Sequence, residues 1–375
     1  MSRDTGAFLR LARLMLTTAL VTALPVPVLA QTAGPDTEKT PTVLDTIVLG
    51  AGAPGFGVQG DGVYETPAAV SSTDAAQIQT RSGGNPQGAL RMMPGVFTRQ
   101  QSNQPGIEVN IRGMSGYGRV NAMIDGVPQT FRNVAGHEGS GGAMLYVQPD
   151  LLSGIDVVRG AVSGAAGSGT LAGAANLRTI DIGDVVAEGR KTGVLTRVKF
   201  GDNGFHRSGM IAMGQRFGGL WGGAGEVNYI IGTAYTVQGE YKGGDRTEIP
   251  GGAYGRASAS SPSGSLAKIE IRPNAAHEFS LGWRDYDNTF QNSSYAWNVR
   301  NRTWTAGYRY DPGSRWINLD VEAYYNDTNL RYLNPFGSYA GRRTEDETTG
   351  INITNRARID WQGHPLNLQY GLSWS

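Results

Sequence analysis

Apolar or aromatic residues recur at every second position, in one segment after another, from Lys191 to the end of the chain. The clearest of these segments are 194–200, 279–284, 317–325 and 351–361. A period of two is the period of a β-strand, so each strand would have one apolar and one polar face. The segments are separated by turn-forming residues, namely Gly201-Asp202-Asn203-Gly204, Pro273-Asn274 and Asp311-Pro312-Gly313. The pattern therefore predicts a series of antiparallel hairpins.

Hairpins of this kind build either a soluble β-sandwich or a transmembrane β-barrel. Longer polar loops near 239–262 and 330–346 alternate with short turns, and the polar faces carry many charges. Aromatic residues lie near the predicted strand ends, where a barrel has its interfacial girdles. These residues are Trp283, Trp304, Tyr308, Tyr310, Trp316 and Trp361. Both features favour the barrel, and the 55 glycines among 375 residues suit many tight turns.

The N-terminus has the features of a secretory signal peptide. Arg3, Arg10 and Arg13 precede an apolar run from Leu14 to Leu24, and small residues at 28–30 predict cleavage before Gln31. The alternative is a membrane anchor, but 11 residues are too few for the ~20 that span a bilayer. We therefore expect residues 1–30 to be removed on export, to the periplasm, the outer membrane or the medium.

Composition and spacing exclude several other classes of protein. A formal net charge of +1 differs from the strongly basic charge expected of a nucleic-acid-binding protein. The absence of cysteine excludes thiolate metal sites and disulfides. No Ser/His/Asp arrangement or HxxxH spacing indicates a catalytic centre. We therefore expect neither an enzyme nor a partner of nucleic acid.

Residues 31–62 are predicted to be a leader with a glycine-rich hinge from Gly50 to Gly62. Within the hinge, residues 55–60 match the dinucleotide fingerprint GxGxxG, but no helical pattern follows the last glycine, so a flexible hinge is the better interpretation. The leader also contains a short β-prone run, Asp45, Thr46, Ile47, Val48 and Leu49.

This run resembles the TonB box of TonB-dependent outer-membrane receptors, with Leu49 in place of the usual valine. Residues 63–182 resemble the plug domain of that family. The matching pieces are Ala89–Val96, Val109–Gly113, Met123–Pro128, Ile155–Gly160 and Gly167–Leu177. The resemblance implies an α+β plug domain followed by antiparallel transmembrane β-barrel strands. It also implies that TonB binds the box by strand addition.

Three dipeptides of the plug motif are candidate functional positions: Arg112-Gly113, Asp125-Gly126 and Arg159-Gly160. Asp125-Gly126 stands between two apolar runs and predicts a hairpin. Five glycines between Gly160 and Gly173 would let the backbone pass close to a wall. The resemblance further implies that Arg112 and Arg159 pair with carboxylates of the barrel wall, the alternative being solvated arginines.

Size sets a limit on the barrel. A domain as large as the predicted plug is roughly 37 Å across, and only wide barrels such as those of 22 strands hold a plug. Residues 191–375 supply about nine strands, so we expect the barrel to be incomplete and the chain to be a fragment or the product of a truncated gene.

Residues 118–131 and 136–138 resemble haem and haemophore receptors, in which a plug-loop histidine binds the haem iron. The resemblance makes His137 the candidate axial ligand, with a solvated loop histidine as the alternative. His206, His277 and His364 are expected to be solvated, and the second histidine of the family would lie beyond Ser375.

The expected function is TonB-dependent uptake of haem across the outer membrane of a Gram-negative bacterium. The expected partners are TonB, haem or a haem-carrier protein, and lipid, with haem as transported ligand and no permanent cofactor. A ferric-siderophore receptor is the alternative, because it would share everything except the context of His137. A passive porin would lack the box and the plug, and a signalling transducer would need a further domain before Asp45.

Overall fold

The computed structural model describes residues 68–99, 105–116, 118–132, 144–162, 170–239, 242–247, 260–292, 295–334, 337, 340–361 and 364–375. All of these lie within one unit of the chain, Ile47–Ser375. The predicted signal peptide, the box Asp45–Leu49, the hinge and His137 lie outside the described residues.

The first region, called the plug below, combines short helices with two small sheets. Its elements are β1 (Ala69–Asp74), α1 (Ala75–Ser82), α2 (Pro86–Arg91), β2 (Val96–Arg99), β3 (Glu108–Ile111), β4 (Met114–Ser115), β5 (Val120–Ile124), β6 (Val127–Pro128), β7 (Leu152–Arg159), β8 (Gly173–Thr179) and α3 (Ile182–Val185). One sheet has the order β1-β7-β8-β5-β6, with β5 and β8 parallel, and the other has the order β2-β3-β4. The mixed α+β character predicted for this region is confirmed.

Local side chains explain where α1 begins and ends. The carboxylate of Asp74 accepts a hydrogen bond from the backbone N–H of Gln77 at 2.7 Å, which caps the first turn. Gly83 ends the helix in the left-handed conformation, at φ 61°. The helix packs through Ile78 onto the buried core of the plug.

No helix in the described part of the chain is long and apolar enough to cross a membrane.

The second region is one antiparallel sheet of nine strands paired in chain order, called the wall below. Its strands are β9 (Thr192–Phe200), β10 (Phe205–Leu220), β11 (Gly225–Gln238), β12 (Ser263–Asn274), β13 (His277–Asn292), β14 (Tyr295–Tyr310), β15 (Leu319–Tyr332), β16 (Arg343–Trp361) and β17 (His364–Trp374). Successive connections alternate between the two ends of the sheet, so both longer ones, 239–262 and 333–342, lie at one end, the loop end. The turn predicted at Pro273-Asn274 is displaced, since β12 extends to Asn274, whose side chain accepts from the N–H of Ala276 at 2.9 Å.

The wall buries its polar face and exposes its apolar face. Leu281 is 57% exposed, whereas Arg284, on the opposite face of the same strand, is 6% exposed. The outward side chains include Val194, Val198, Ile211, Met213, Ile231, Phe279, Trp304, Leu368 and Leu372. The buried polar side chains of the inner face include Asn228, Asn288, Asn301, Thr303, Asn326 and Thr328. A soluble sandwich has the opposite arrangement, so the wall is of the lipid-facing type.

Candidate functional site: the contact between plug and wall

Four wall glycines let the plug approach the inner face closely. We call Gly193, Gly214, Gly232 and Gly264 the glycine seam. A Cβ atom added at Gly264 would lie 2.6 Å from the Cβ atom of Gln148 in the plug, closer than such atoms can approach. At Gly214 an added Cβ atom would lie 3.0 Å from a methyl group of Val186. At Gly214 and Gly264 the strands therefore need glycine, because plug atoms occupy the space of a side chain.

Apolar side chains from both regions complete this contact. The plug contributes Leu151, Ile180, Ile182, Val185 and Val186. These residues pack on small or aliphatic wall residues, namely Met210, Ala212, Ile230, Ala234 and Leu266. The wall side of this contact is thus formed by β10, β11 and β12, whose inner face here is apolar.

Beside the glycine seam, two cations of the wall contact Asp150 of the plug. The ammonium group of Lys199 lies 2.5 Å from the carboxylate of Asp150. Arg197 donates to the backbone carbonyl oxygen of Asp150 at 2.5 Å. This polarity is the reverse of the prediction, which placed the arginines on the plug and the carboxylates on the wall.

Further along the sheet, the contact is made by hydrogen bonds between polar side chains. The amide of Asn301 donates to Gln129 of the plug at 3.3 Å and to Asn326 at 3.0 Å. The hydroxyl of Thr130 donates to Asp346 at 2.6 Å and lies 2.7 Å from the hydroxyl of Thr348. We call these contacts, made by β14, β15 and β16, the polar seam.

The predicted Asp125-Gly126 hairpin is confirmed, and its tip faces the wall. Both residues have positive φ, 49° and 80°, as a two-residue turn between β5 and β6 requires. The Asp125 carboxylate accepts from the N–H and the hydroxyl of Thr179, at 2.7 and 2.6 Å. It also lies 3.7 Å from the ammonium group of Lys268 on β12.

An aromatic cluster joins the plug to the wall towards the loop end. The plug contributes Phe131, Met144 and Tyr146, which pack against wall side chains. The wall residues are Tyr286, Phe290, Trp297, Val299, Leu330 and Tyr332. The Tyr146 hydroxyl has no hydrogen-bond partner among the described residues. Its burial, with a smaller contribution from nearby Tyr286, raises its pKa, so it stays a neutral donor.

The prediction that Arg159 pairs with a carboxylate is wrong within the described residues. Arg159 donates instead to the hydroxyl of Ser71 at 2.7 Å and to the carbonyl oxygens of Pro94 and Val70, both at 3.2 Å. Desolvation, and then the charge of Arg112, lower its pKa. Arg159 thus binds strand β1 and the segment before β2 inside the plug, because its position at the end of β7 faces them.

Arg112 also forms no salt bridge in the described part of the chain, so its predicted pairing is not found there either. Arg112 and Gly113 form the two-residue turn between β3 and β4, with φ 52° and 85°, and the Arg112 side chain is exposed. Its N–H donates to the carbonyl oxygen of Gly95 at 2.8 Å. The conformation of the turn accounts for the glycine, and the exposed guanidinium matches the alternative of a solvated arginine.

In the segment from Gly160 to Gly173, the described glycines make their close contacts inside the plug sheet. Gly160 has φ 95° and donates to the carbonyl oxygen of Ala172 at 2.7 Å. A Cβ atom added at Gly173 would collide with the carbonyl oxygen of Val158 on the neighbouring strand β7. The close approach at Gly173 is therefore between strands of the plug and not to the wall.

Among the other histidines, His206 is exposed as predicted. His277 is half-buried instead of solvated: its Nδ1 atom lies 2.9 Å from the hydroxyl of Tyr308, and its ring stacks on Tyr310. The side chain of His364 lies outside the described residues. Within the described ranges, no group of three or more His, Cys, Asp or Glu side chains has an arrangement that would hold a metal ion.

The wall side chains that bind the plug were not found from sequence. Lys268 and Arg284 each occupy one inward position in an alternating strand, which sequence shows only as a polar face. A glycine inside a strand is the more informative signal, because it often marks the close approach of another backbone. Applied to the alternating segments, that rule would have drawn attention to Gly214, Gly232 and Gly264.

Residues 62–174 match the family described as TonB-dependent Receptor Plug Domain. A probable TonB-dependent receptor of Haemophilus influenzae is 41% identical over 118 residues, which are 30% of this chain and 13% of that protein. The TonB-dependent heme receptor A of Haemophilus ducreyi is 22% identical over 339 residues, which are 80% of this chain and 43% of that protein.

Among solved structures, the chain is similar to the hemophore receptor HasR of Serratia marcescens, determined as a double mutant with its hemophore HasA and heme. The TM-score is 0.72 at 26% identity, over 84% of this chain and 45% of that chain. The chain thus spans less than half the length of these relatives. The chain thus contains a TonB-dependent receptor plug domain, docked against a sheet of nine antiparallel strands whose outer face is apolar.

Proposed function

We propose that this protein takes up haem, free or from a carrier protein, across the outer membrane of a Gram-negative bacterium, and that TonB powers the uptake. The observation that carries the proposal is the similarity over 84% of the chain to a receptor solved with its hemophore and heme. The relative from Haemophilus ducreyi, named a heme receptor, supports the same cargo.

The aromatic cluster gives this cargo a site of entry. The chain leaves the cluster at Phe131 and returns to it at Met144, whose N–H donates to the carbonyl oxygen of Phe131 at 2.9 Å. The proposed iron ligand His137 falls in the stretch between these two anchored residues. We propose that His137 faces the extracellular side, because Phe131 and Met144 lie towards the loop end of the wall. Neutral imidazole is a standard ligand of haem iron.

The coupling step follows from the proposed domain order: signal peptide 1–30, leader 31–62, plug 63–182 and wall strands 191–375. Haem binding makes the box Asp45–Leu49 accessible in the periplasm, where TonB adds to it as a strand. A pull on the box then displaces part of the plug and opens a path along the wall.

Haem titration tests the ligand. In the receptor expressed from its complete gene and purified in detergent, His137→Ala should weaken haem binding at least tenfold and shift the Soret band. His206→Ala, which removes an exposed histidine of the wall, is the matched control and should behave as wild type. An unchanged Soret band and affinity in His137→Ala would remove this residue from the site.

Uptake in cells tests the coupling and the cargo. Deleting residues 45–49 should abolish haem uptake and leave binding at the cell surface intact, whereas deleting residues 33–37 of the leader should leave both intact. Uptake that persists without the box would refute TonB coupling. Growth on a ferric siderophore, but not on haem, as sole iron source would identify the alternative cargo.

A further inference from the structure

A charged cavity lies beside the ion pair between the tip of the plug hairpin and the wall. Its lining includes Asp125, Lys268, Glu278, Arg284, Arg309 and Glu322. The cavity lies against β12, β13, β14 and β15.

Arg284 differs from Arg309, the other arginine that lines this space. It is 6% exposed, and it donates to the backbone carbonyl oxygen of Tyr146 at 3.1 Å and to the hydroxyl of Thr303 at 2.7 Å. Both acceptors are neutral, and no salt bridge joins Arg284 to a carboxylate of the described residues. Arg309, by contrast, lies 3.8 Å from Glu278 and 3.5 Å from Asp320.

Lys268 brings a second cation close to Arg284. In the register of β12 and β13, Leu266 is opposite Arg284 and Lys268 is opposite Gly282, so the two cations are diagonal neighbours on the inner face. Such neighbours are about 7–8 Å apart, within reach of long side chains. The carboxylate of Asp125, at 3.7 Å from Lys268, is supplied by the plug and not by the wall.

We infer that Arg284 and Lys268 form a transit site for a carboxylate group of the transported molecule, between the plug and strands β12 and β13. When the plug moves, Asp125 leaves with it, so Lys268 loses its ion pair, and Arg284 has none in the described part of the chain. A buried cation is costly without a counter-charge, and an incoming carboxylate supplies one through charge-assisted hydrogen bonds. For haem, the cargo of the proposed function on which this inference rests, that group is a propionate.

The test compares iron-labelled haem with its dimethyl ester, which lacks the two carboxylates. Uptake is measured in cells that express the receptor from its complete gene, and the uptake by the variant without residues 45–49 is subtracted. Arg284→Gln should lower the uptake of haem about tenfold, the loss expected for one hydrogen bond to a charged group. It should leave the uptake of the ester unchanged.

Arg300→Gln is the matched control, because Arg300 is an exposed arginine of the next strand, at 2.8 Å from Asp285. It should leave the uptake of both compounds unchanged. Equal losses for haem and ester in Arg284→Gln would mean a structural role and would overturn the inference. If Arg284→Gln fails to reach the membrane, Lys268→Gln makes the same comparison with the same two outcomes.

The two proposals fail in different ways. Wild-type cells that neither bind nor take up haem would refute the proposed cargo. Wild-type cells that take up haem, and variants that do not distinguish haem from its ester, would refute the transit site alone.

Discussion

The ammonium group of Lys268 on β12 lies 3.7 Å from the carboxylate of Asp125 at the tip of the plug hairpin. The same carboxylate accepts two hydrogen bonds from Thr179, so a single side chain links two plug strands to the wall. Asp125→Asn keeps a residue that tolerates positive φ but removes the charge and one acceptor. We expect it to weaken this contact by about 1–3 kcal/mol.

Hydrogen exchange of the Thr179 amide in the detergent-solubilised receptor measures this loss. Exchange should accelerate roughly tenfold, since each 1.4 kcal/mol corresponds to about a factor of ten. Asp202→Ala, in the exposed turn after β9, is the control and should not change the exchange of Thr179. Equal exchange in wild type and Asp125→Asn would show that the carboxylate does not hold β8.

The glycine seam makes a prediction about stability. In Gly214→Val the new side chain would lie against Ile230, Val186 and Ile182, all within 3.1 Å of the added Cβ atom. Overpacking of this kind costs about 1–3 kcal/mol, so thermal unfolding in detergent should begin several degrees lower. Gly218→Val, on the same strand with no atom within 4 Å of the added Cβ, should unfold as wild type. Equal melting temperatures would mean that the plug does not fill this space.

The polar seam makes a prediction about transport. Thr130 of the plug and Thr348 of the wall have their hydroxyl oxygens 2.7 Å apart, so cysteines at these positions are placed to form a disulfide. The chain has no cysteine of its own. Oxidation of the Thr130→Cys, Thr348→Cys variant should stop the proposed haem uptake and spare surface binding, and a reductant should reverse the loss.

The control for this cross-link joins two wall strands. The hydroxyl oxygens of Thr233 and Ser265 lie 3.1 Å apart on β11 and β12, and a disulfide there leaves the plug free. Oxidised Thr233→Cys, Ser265→Cys should transport as wild type. Full uptake through the oxidised Thr130–Thr348 cross-link would show that the plug does not move away from β16.

Local patterns predicted the strands well, because alternation and turn chemistry are written in neighbouring residues. The Asp125-Gly126 hairpin and the alternating faces of 279–284 follow from such patterns. The pairing of Arg159 did not, since its acceptors on Ser71, Val70 and Pro94 come from segments more than 60 residues away. The sequence shows that Lys268 is charged, but its partner depends on how the plug packs against the wall. No periodic pattern in the sequence predicts that packing.

The alternation of outward and inward side chains in the wall limits where insertions and deletions are tolerated. Because outward and inward side chains alternate, deleting one residue from the middle of β14 would turn the following inward residues to lipid and draw outward ones such as Trp304 inside. Changes in length are therefore tolerable only in the connections, above all 239–262 and 333–342. Natural variants of this receptor should differ in length there and keep each strand's residue count intact.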